Sequence, residues 1–205
     1  MDERHLIFLV EEPSMEAFLE VFLDSVLPEN CSYETHSYQG KQDLLAKLPS
    51  RLRAYAQWLP SHWTIFVIID RDDDSCLRLK NTLEQAAYGA GLITRTRGSH
   101  GIWQVANRVV VEELEAWYIG DPEAICMAYP RINRSSLGQA RYRDPDAVAG
   151  GTCESFERLL QRRNYFKGGL RKIEAARDMA AHMVPERNCS HSFQVFYRAL
   201  GEAIS

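Results

Sequence analysis

Apolar positions follow two rhythms along the chain. His5–Val10 is a nearly unbroken apolar run closed off by charges, so it predicts a strand buried on both faces. Phe18, Val21, Phe22 and Val26 then recur at helical spacing up to Pro28, predicting a helix that Pro13 and Ser14 open, with Ser14 as its N-cap. Cys31–Tyr38 alternates as a strand does. Leu44, Leu45, Leu48, Leu52, Tyr55 and Leu59 mark a second helix, which Pro49 is expected to bend or interrupt. Trp63–Ile69 is β-branched, aromatic and apolar throughout and gives the clearest strand. A helix over Ser75–Tyr88 ends at Gly89 and Gly91. Leu92–Arg95 reads as a short fourth strand, Gly98–Gly101 as a turn, and Trp103–Val111 as a fifth strand running into a helix over Glu112–Ile119.

Strands separated by helices imply βαβ crossovers, and hence an α/β fold with a mostly parallel sheet flanked by helices. After Asp121-Pro122 the pattern is helical, with segments near Pro122–Ala128, Cys153–Arg163, Gly169–Met183 and His191–Ala203. In the last of these, Ser192 lies in the N-cap region, and Phe193 and Phe196 are core aromatics. The expected organisation is an α/β core over residues 1–120 and a helical lobe over 121–205 packed on it.

The 205 residues are 45% hydrophobic and 25% charged, enough for a real core without staples. Apolar runs such as Leu6–Val10 and Ile65–Ile69 fall far short of the roughly 20 residues that cross a bilayer. Met1-Asp2-Glu3-Arg4-His5 lacks the basic start of a signal peptide, and the 5 cysteines form no Cys-x-x-Cys pair. The expectation is a reduced, cytoplasmic protein without a membrane partner.

A net charge of −4 argues against a surface coated for non-specific nucleic-acid binding, but the charge is unevenly spread. Residues 1–30 hold eight acids against Arg4, whereas residues 129–172 hold ten bases against Asp144, Asp146, Glu154 and Glu157. Arginine, suited to gripping phosphate through two parallel hydrogen bonds, makes up 19 of the 24 basic residues. Two readings stand: a solvated helical surface with scattered ion pairs, or a phosphate-backbone platform beside an acidic centre.

Ligands of an open parallel sheet bind outside the carboxyl ends of its strands. The first strand ends in Val10-Glu11-Glu12 and the third in Asp70-Arg71-Asp72-Asp73-Asp74. Central, parallel strands would bring Glu11, Asp70 and Asp72 to one edge. Carboxylates crowded there need a cation, since like charges otherwise force protonation. Hard oxygen donors suit Mg²⁺ or Mn²⁺, and with His and Cys absent from the cluster a zinc centre is not indicated. The competing reading makes Asp72, Asp73 and Asp74 caps of the following helix, and Glu12 faces solvent. A second acidic knot, Glu112-Glu113-Leu114-Glu115-Ala116-Trp117-Tyr118, offers Glu113 or Glu115 to complete a metal shell, or else simple helix-start acids.

These residues resemble the Toprim group, the metal-binding domain of topoisomerases, primases and overcoming-lysogenization-defect nucleases. In that group a Glu after the first strand and an Asp-x-Asp after the third hold Mg²⁺, which here implies Glu11, Asp70 and Asp72. A closer resemblance, over nearly the whole chain, is to a bacterial Toprim-like family, domain of unknown function 4276, often linked to ATPases of phage-defence islands. It rests on Val10-Glu11 with Ala17-Phe18, Gly40-Lys41 with Asp43-Leu44-Leu45, and Ile69-Asp70-Arg71-Asp72. It continues through Glu113–Tyr118, Arg143-Asp144-Pro145-Asp146, Tyr165-Phe166-Lys167 and Ser192–Phe196. Two positions depart from it: Glu12 stands where the family has a turn-forming Gly, and Met15 where it often has an acid.

The resemblance implies a Mg²⁺- or Mn²⁺-dependent nuclease. Glu11, Asp70, Asp72 and Glu115 are its expected metal ligands, and Glu113 and Lys167 join them as expected catalytic residues. The Arg-rich lobe would track a DNA or RNA backbone, and the family leaves room for a partner ATPase and a homodimer. Lys41 reads as a phosphate holder or a solvated helix-start lysine, Lys167 and Lys172 as charge-neutralising or surface groups, and His36 and His100 lack ligand spacing. The alternative is a catalytically inactive metal- or nucleic-acid-binding adaptor of an ATPase. A receiver-like signalling domain wants a lysine where Glu112 stands, and a dehalogenase-type phosphatase places its Asp-x-Asp at the first strand.

Overall fold

The computed structural model describes residues 3–98 and 102–205. Four strands form one parallel sheet: β1 (Arg4–Val10), β2 (Cys31–Ser37), β3 (Trp63–Asp70) and β4 (Val105–Val110), in the order β2-β1-β3-β4. The helices are α1 (Pro13–Val26), α2 (Lys41–Ala56), α3 (Cys76–Gly89), α4 (Glu115–Ile119), α5 (Pro122–Ala128), α6 (Arg134–Leu137), α7 (Thr152–Gln161), α8 (Lys172–Ala180) and α9 (His191–Ile204).

The unbroken apolar strands follow from helices on both faces of the sheet. Leu6, Phe8, Val10, Phe66, Ile68, Ala106 and Val110 point into one core with Phe18 and Phe22 of α1, Trp117 of α4 and Phe193 and Phe196 of α9. Ile7, Leu9, Ile65, Val67 and Ile69 point the other way, against Leu44, Leu48 and Leu52 of α2 and Leu79 and Leu83 of α3. The first core runs without a break across residue 120, taking in Phe156 of α7 and Met179 of α8.

Register decides what meets at the rim. Val10 lies opposite Ile68, and Asp70 opposite Val110, so β3 outruns β1 by two residues and carries Asp70 up beside Glu11.

Several local expectations need correction. Leu92–Arg95 supplies only one bridge, Thr94 to Val105, because a turn begins at Thr94, whose carbonyl accepts from the N–H of Arg97. The sheet therefore has four strands among the described residues. Pro49 does not interrupt α2; the packed stripe of Leu44, Leu48, Leu52 and Tyr55 outweighs the lost hydrogen bond. Glu12, not Ser14, occupies the N-cap position of α1, and Ser14 Oγ donates to Glu12 Oε1 at 2.7 Å. The helix expected from Glu112 starts only at Glu115, since Glu112 adopts a left-handed φ of 62°. Ser190 caps α9, accepting from Phe193 N, while Ser192 is bonded to Trp117 Nε1. The expected turn at Gly98–Gly101 and the reading of His100 fall on residues outside the described ones.

Candidate acidic site

The carboxyl ends of β1, β3 and β4 present their acids to one rim. Glu11, the first residue past β1, accepts from the backbone N–H of Asp70 at 3.1 Å. Asp70, the last residue of β3, is 7% exposed. Burial and then the negative charges of Glu11, Glu115, Glu12 and Asp72 hold its carboxyl well above the usual carboxylate range. Its side chain takes no hydrogen bond among the described residues. Glu115 opens α4, is 3% exposed, and is pushed up to about 7 by burial, with Lys172 opposing and Glu113 and Glu12 adding. Glu11 is raised as well, first by burial.

Asp72 closes the rim on strained backbone. Its φ of 47° and that of Glu112, 62°, are left-handed values that only a well-braced loop imposes on residues with a side chain. The brace is visible: Arg71 N donates to Val110 O at 2.9 Å and Asp72 N to Glu112 O at 3.0 Å, carrying the β3–β4 pairing past the strand ends.

Two lysines enter the cluster from opposite sides. Lys41, the first residue of α2 after Gly40 at φ 89°, is buried and reaches Asp72 at 2.6 Å and Asp74 at 3.0 Å, with a further bond to the carbonyl of Arg71. Burial opposes its charge, but these carboxylates and Glu11 outweigh it and raise the ammonium. Lys172, the first residue of α8, lies 3.3 Å from Glu12 and 4.0 Å from Glu113. Burial opposes its charge too, and Glu115 and Glu12 overcome it.

Glu113 has a structural bond of its own, accepting from Cys153 N at the start of α7 at 3.2 Å. Cys153 Sγ joins Glu113 and Glu115, with ligand atoms all within 4.8 Å of one another. That corrects the expectation of a cluster free of cysteine; the sulfur comes from the helical lobe, 40 residues along the chain from Glu113. Burial drives the thiol up, with Glu115 adding to it. Beside the rim lies a cleft of about 270 Å³ lined by Arg71, Asp72, Asp73, Glu112, Glu113, Gly151 and Glu154.

The structure ties Glu11 to the backbone of Asp70 and sets Glu113 and Glu115 with Cys153. Among the described residues that last trio is the group whose ligand atoms lie within 4.8 Å of one another, and Glu11, Asp70 and Asp72 are outside it. Lys167 is not brought to the rim; it stands exposed in a turn after α7 with no contact to these acids among the described residues. Lys172 stands there instead. Glu12 does not simply face solvent but pairs with Lys172. The aspartates after β3 do not cap α3, which has no side-chain cap bond; Asp72 and Asp74 hold Lys41. Carboxylates outnumber lysines along this rim, and the three donors closest together are two carboxylates and one thiol.

The family model of a domain of unknown function, DUF4276, matches residues 10–201. No curated protein and no solved structure matches the chain.

Proposed function

We propose a function for a chain that belongs to the DUF4276 family: a Toprim-type, Mg²⁺- or Mn²⁺-dependent nuclease. The observation that carries this reading is Asp70, a carboxylate 7% exposed that accepts no side-chain hydrogen bond among the described residues and is opposed by the charges of Glu11, Glu115, Glu12 and Asp72. Burial and the surrounding acids drive such a group to take up a proton, and a bound cation would instead hold it ionised.

Glu11, Asp70, Asp72 and Glu115 would hold the ion, which supplies Lewis acidity toward water and a phosphate oxygen. Lys41 fixes the Asp72 carboxylate at the rim. Lys172, rather than Lys167, brings positive charge to the acids and can meet the phosphate there. Glu113, tied to the start of α7, positions the lobe against the core. Arg143, Arg162, Arg163, Lys167 and Arg171 stand exposed on that lobe and would track a phosphate backbone without reading bases.

A second reading, a metal- and nucleic-acid-binding adaptor of an ATPase, is favoured by Glu12. Its carboxylate draws Lys172 into an ion pair. Incubating the purified chain with Mg²⁺ or Mn²⁺ and plasmid DNA, tRNA or other RNA separates the two. The nuclease reading expects nicking or degradation that Asp72→Ala reduces at least 100-fold, the variant keeping the wild-type circular dichroism spectrum. Saturable metal binding without cleavage of any of these substrates decides for the adaptor.

A further inference from the structure

β4 is an edge strand, and beyond its bridge to Thr94 its outer side opens onto a groove of about 280 Å³ between the start of α3 and the start of α9. Leu77 and Lys80 of α3, Arg108 and Val109 of β4, and His191 and Val195 of α9 line it, and no acid does. This groove shares no lining residue with the acidic cleft.

Arg108 is its anomaly. It is 7% exposed, and its Nη1 donates to Asn107 O at 3.0 Å. Its Nε and Nη2 are buried with no partner among the described residues. The charges around it do not compensate. Lys80, Arg95 and Arg198 oppose it, while the two nearby acids are engaged elsewhere. Glu202 takes both bonds from Arg95, at 2.6 Å each, and Glu84 accepts from Thr94 and Asn107. Burial lowers the guanidinium to about 10, still charged at neutral pH. A buried cation with two idle donors is costly unless something pairs with it. The rest of the groove is largely apolar, and Leu77 at its mouth is 76% exposed.

We propose that this groove binds an oxyanion, carboxylate or phosphate, carried on a short apolar body, with Arg108 as the anchoring group and Lys80 beside it. Arg108 offers two N–H groups in the fork that suits such an anion. Leu77, Val109 and Val195 cover the carbon chain. The inference stands independently of the nuclease reading.

The test is calorimetric titration of the full chain, metal-depleted and at constant ionic strength, with acetate, hexanoate, inorganic phosphate and hexyl phosphate. Saturable binding is expected, with the six-carbon ligand at least 10-fold tighter than its parent anion; the preferred pair tells carboxylate from phosphate. Arg108→Met should weaken this binding more than 10-fold while leaving the ligand-free melting temperature unchanged or higher. Leu77→Asp, on an exposed position that tolerates it, should weaken binding comparably by placing a negative charge at the mouth. Absence of saturable binding for all four probes, or binding unchanged in both variants, overturns the proposal.

Discussion

Asp70 concentrates the tension at the acidic rim, because a backbone strand end delivers it into the core while four neighbouring carboxylates oppose its charge. Asp70→Asn keeps the shape and removes that repulsion. The metal-free variant is expected to melt a few degrees above wild type, at roughly 2–4 °C per kcal/mol for a chain of this size. It should also lose the stabilisation that Mn²⁺ gives the wild type, since a neutral amide no longer balances the cation. Melting curves with and without Mn²⁺ check both halves, and a variant that is destabilised without metal yet still stabilised by it would count against the rim as a cation site. Glu11, Asp70 and Asp72 are legible from sequence because a strand end fixes where the following residue points. Cys153 and Lys172 are not, because each lies in the first turn of a helix of the lobe, and only three-dimensional packing brings those helix starts to the rim.

At the scale of elements, the segment after α3 pairs its backbone with Gln104 and Val105 and is tied down further by one buried carboxylate. Glu84 of α3 accepts from Thr94 Oγ1 and, at 2.9 Å, from Asn107 Nδ2 of β4, with Lys80 at 3.5 Å, stitching α3, the 92–96 segment and β4 together. A fourth strand at Leu92–Arg95 is the natural reading of four residues of mixed apolar character after two glycines. Side-chain bonds from a residue ten positions earlier leave no trace in that local pattern. Burial alone would raise the Glu84 carboxyl, but the bonds from Thr94 and Asn107 and the charge of Lys80 outweigh it and depress it. The sign follows: stability from this group is fully present above the unfolded value of 4.5 and is lost as pH falls through the lower folded one. Glu84→Gln is therefore expected to cost about 1–3 kcal/mol at neutral pH. It should also flatten the loss of stability on acidification below about pH 4.5, relative to wild type. Urea unfolding at a series of pH values measures both, and parallel pH profiles for the two proteins would contradict it.

Over the whole molecule the sheet and the helical lobe share one core. Phe8 and Phe66 of the sheet stack at 5.1 Å, Phe66 meets Phe196 of α9 at 6.1 Å, and Phe196 stacks on Trp117 of α4 at 5.0 Å, with Phe193 against both Trp117 and Phe22. A composition change near residue 120 is real, but it marks a change in element type rather than in packing. Only the apolar stripes of α7, α8 and α9 hint that they need a partner surface. Phe156, Phe193, Phe196 and Leu200 are all essentially fully buried, and burying each stabilises by roughly 1.5–3 kcal/mol. Together they contribute about 6–12 kcal/mol, comparable to the whole stability of an ordinary domain, about 5–15 kcal/mol. A chain cut after Gly120 is accordingly expected to show no cooperative thermal transition. The full chain should unfold in one step, with far-ultraviolet circular dichroism and tryptophan fluorescence giving the same midpoint, since Trp103 and Trp117 sit in or against the shared core. A fragment of residues 1–120 that melts cooperatively by itself, or a full chain with two separated midpoints, would show instead that the sheet half folds without the lobe. Lys172 and Cys153 would then be docked onto a preformed rim. With a single shared transition, the acidic site exists only when the lobe is in place.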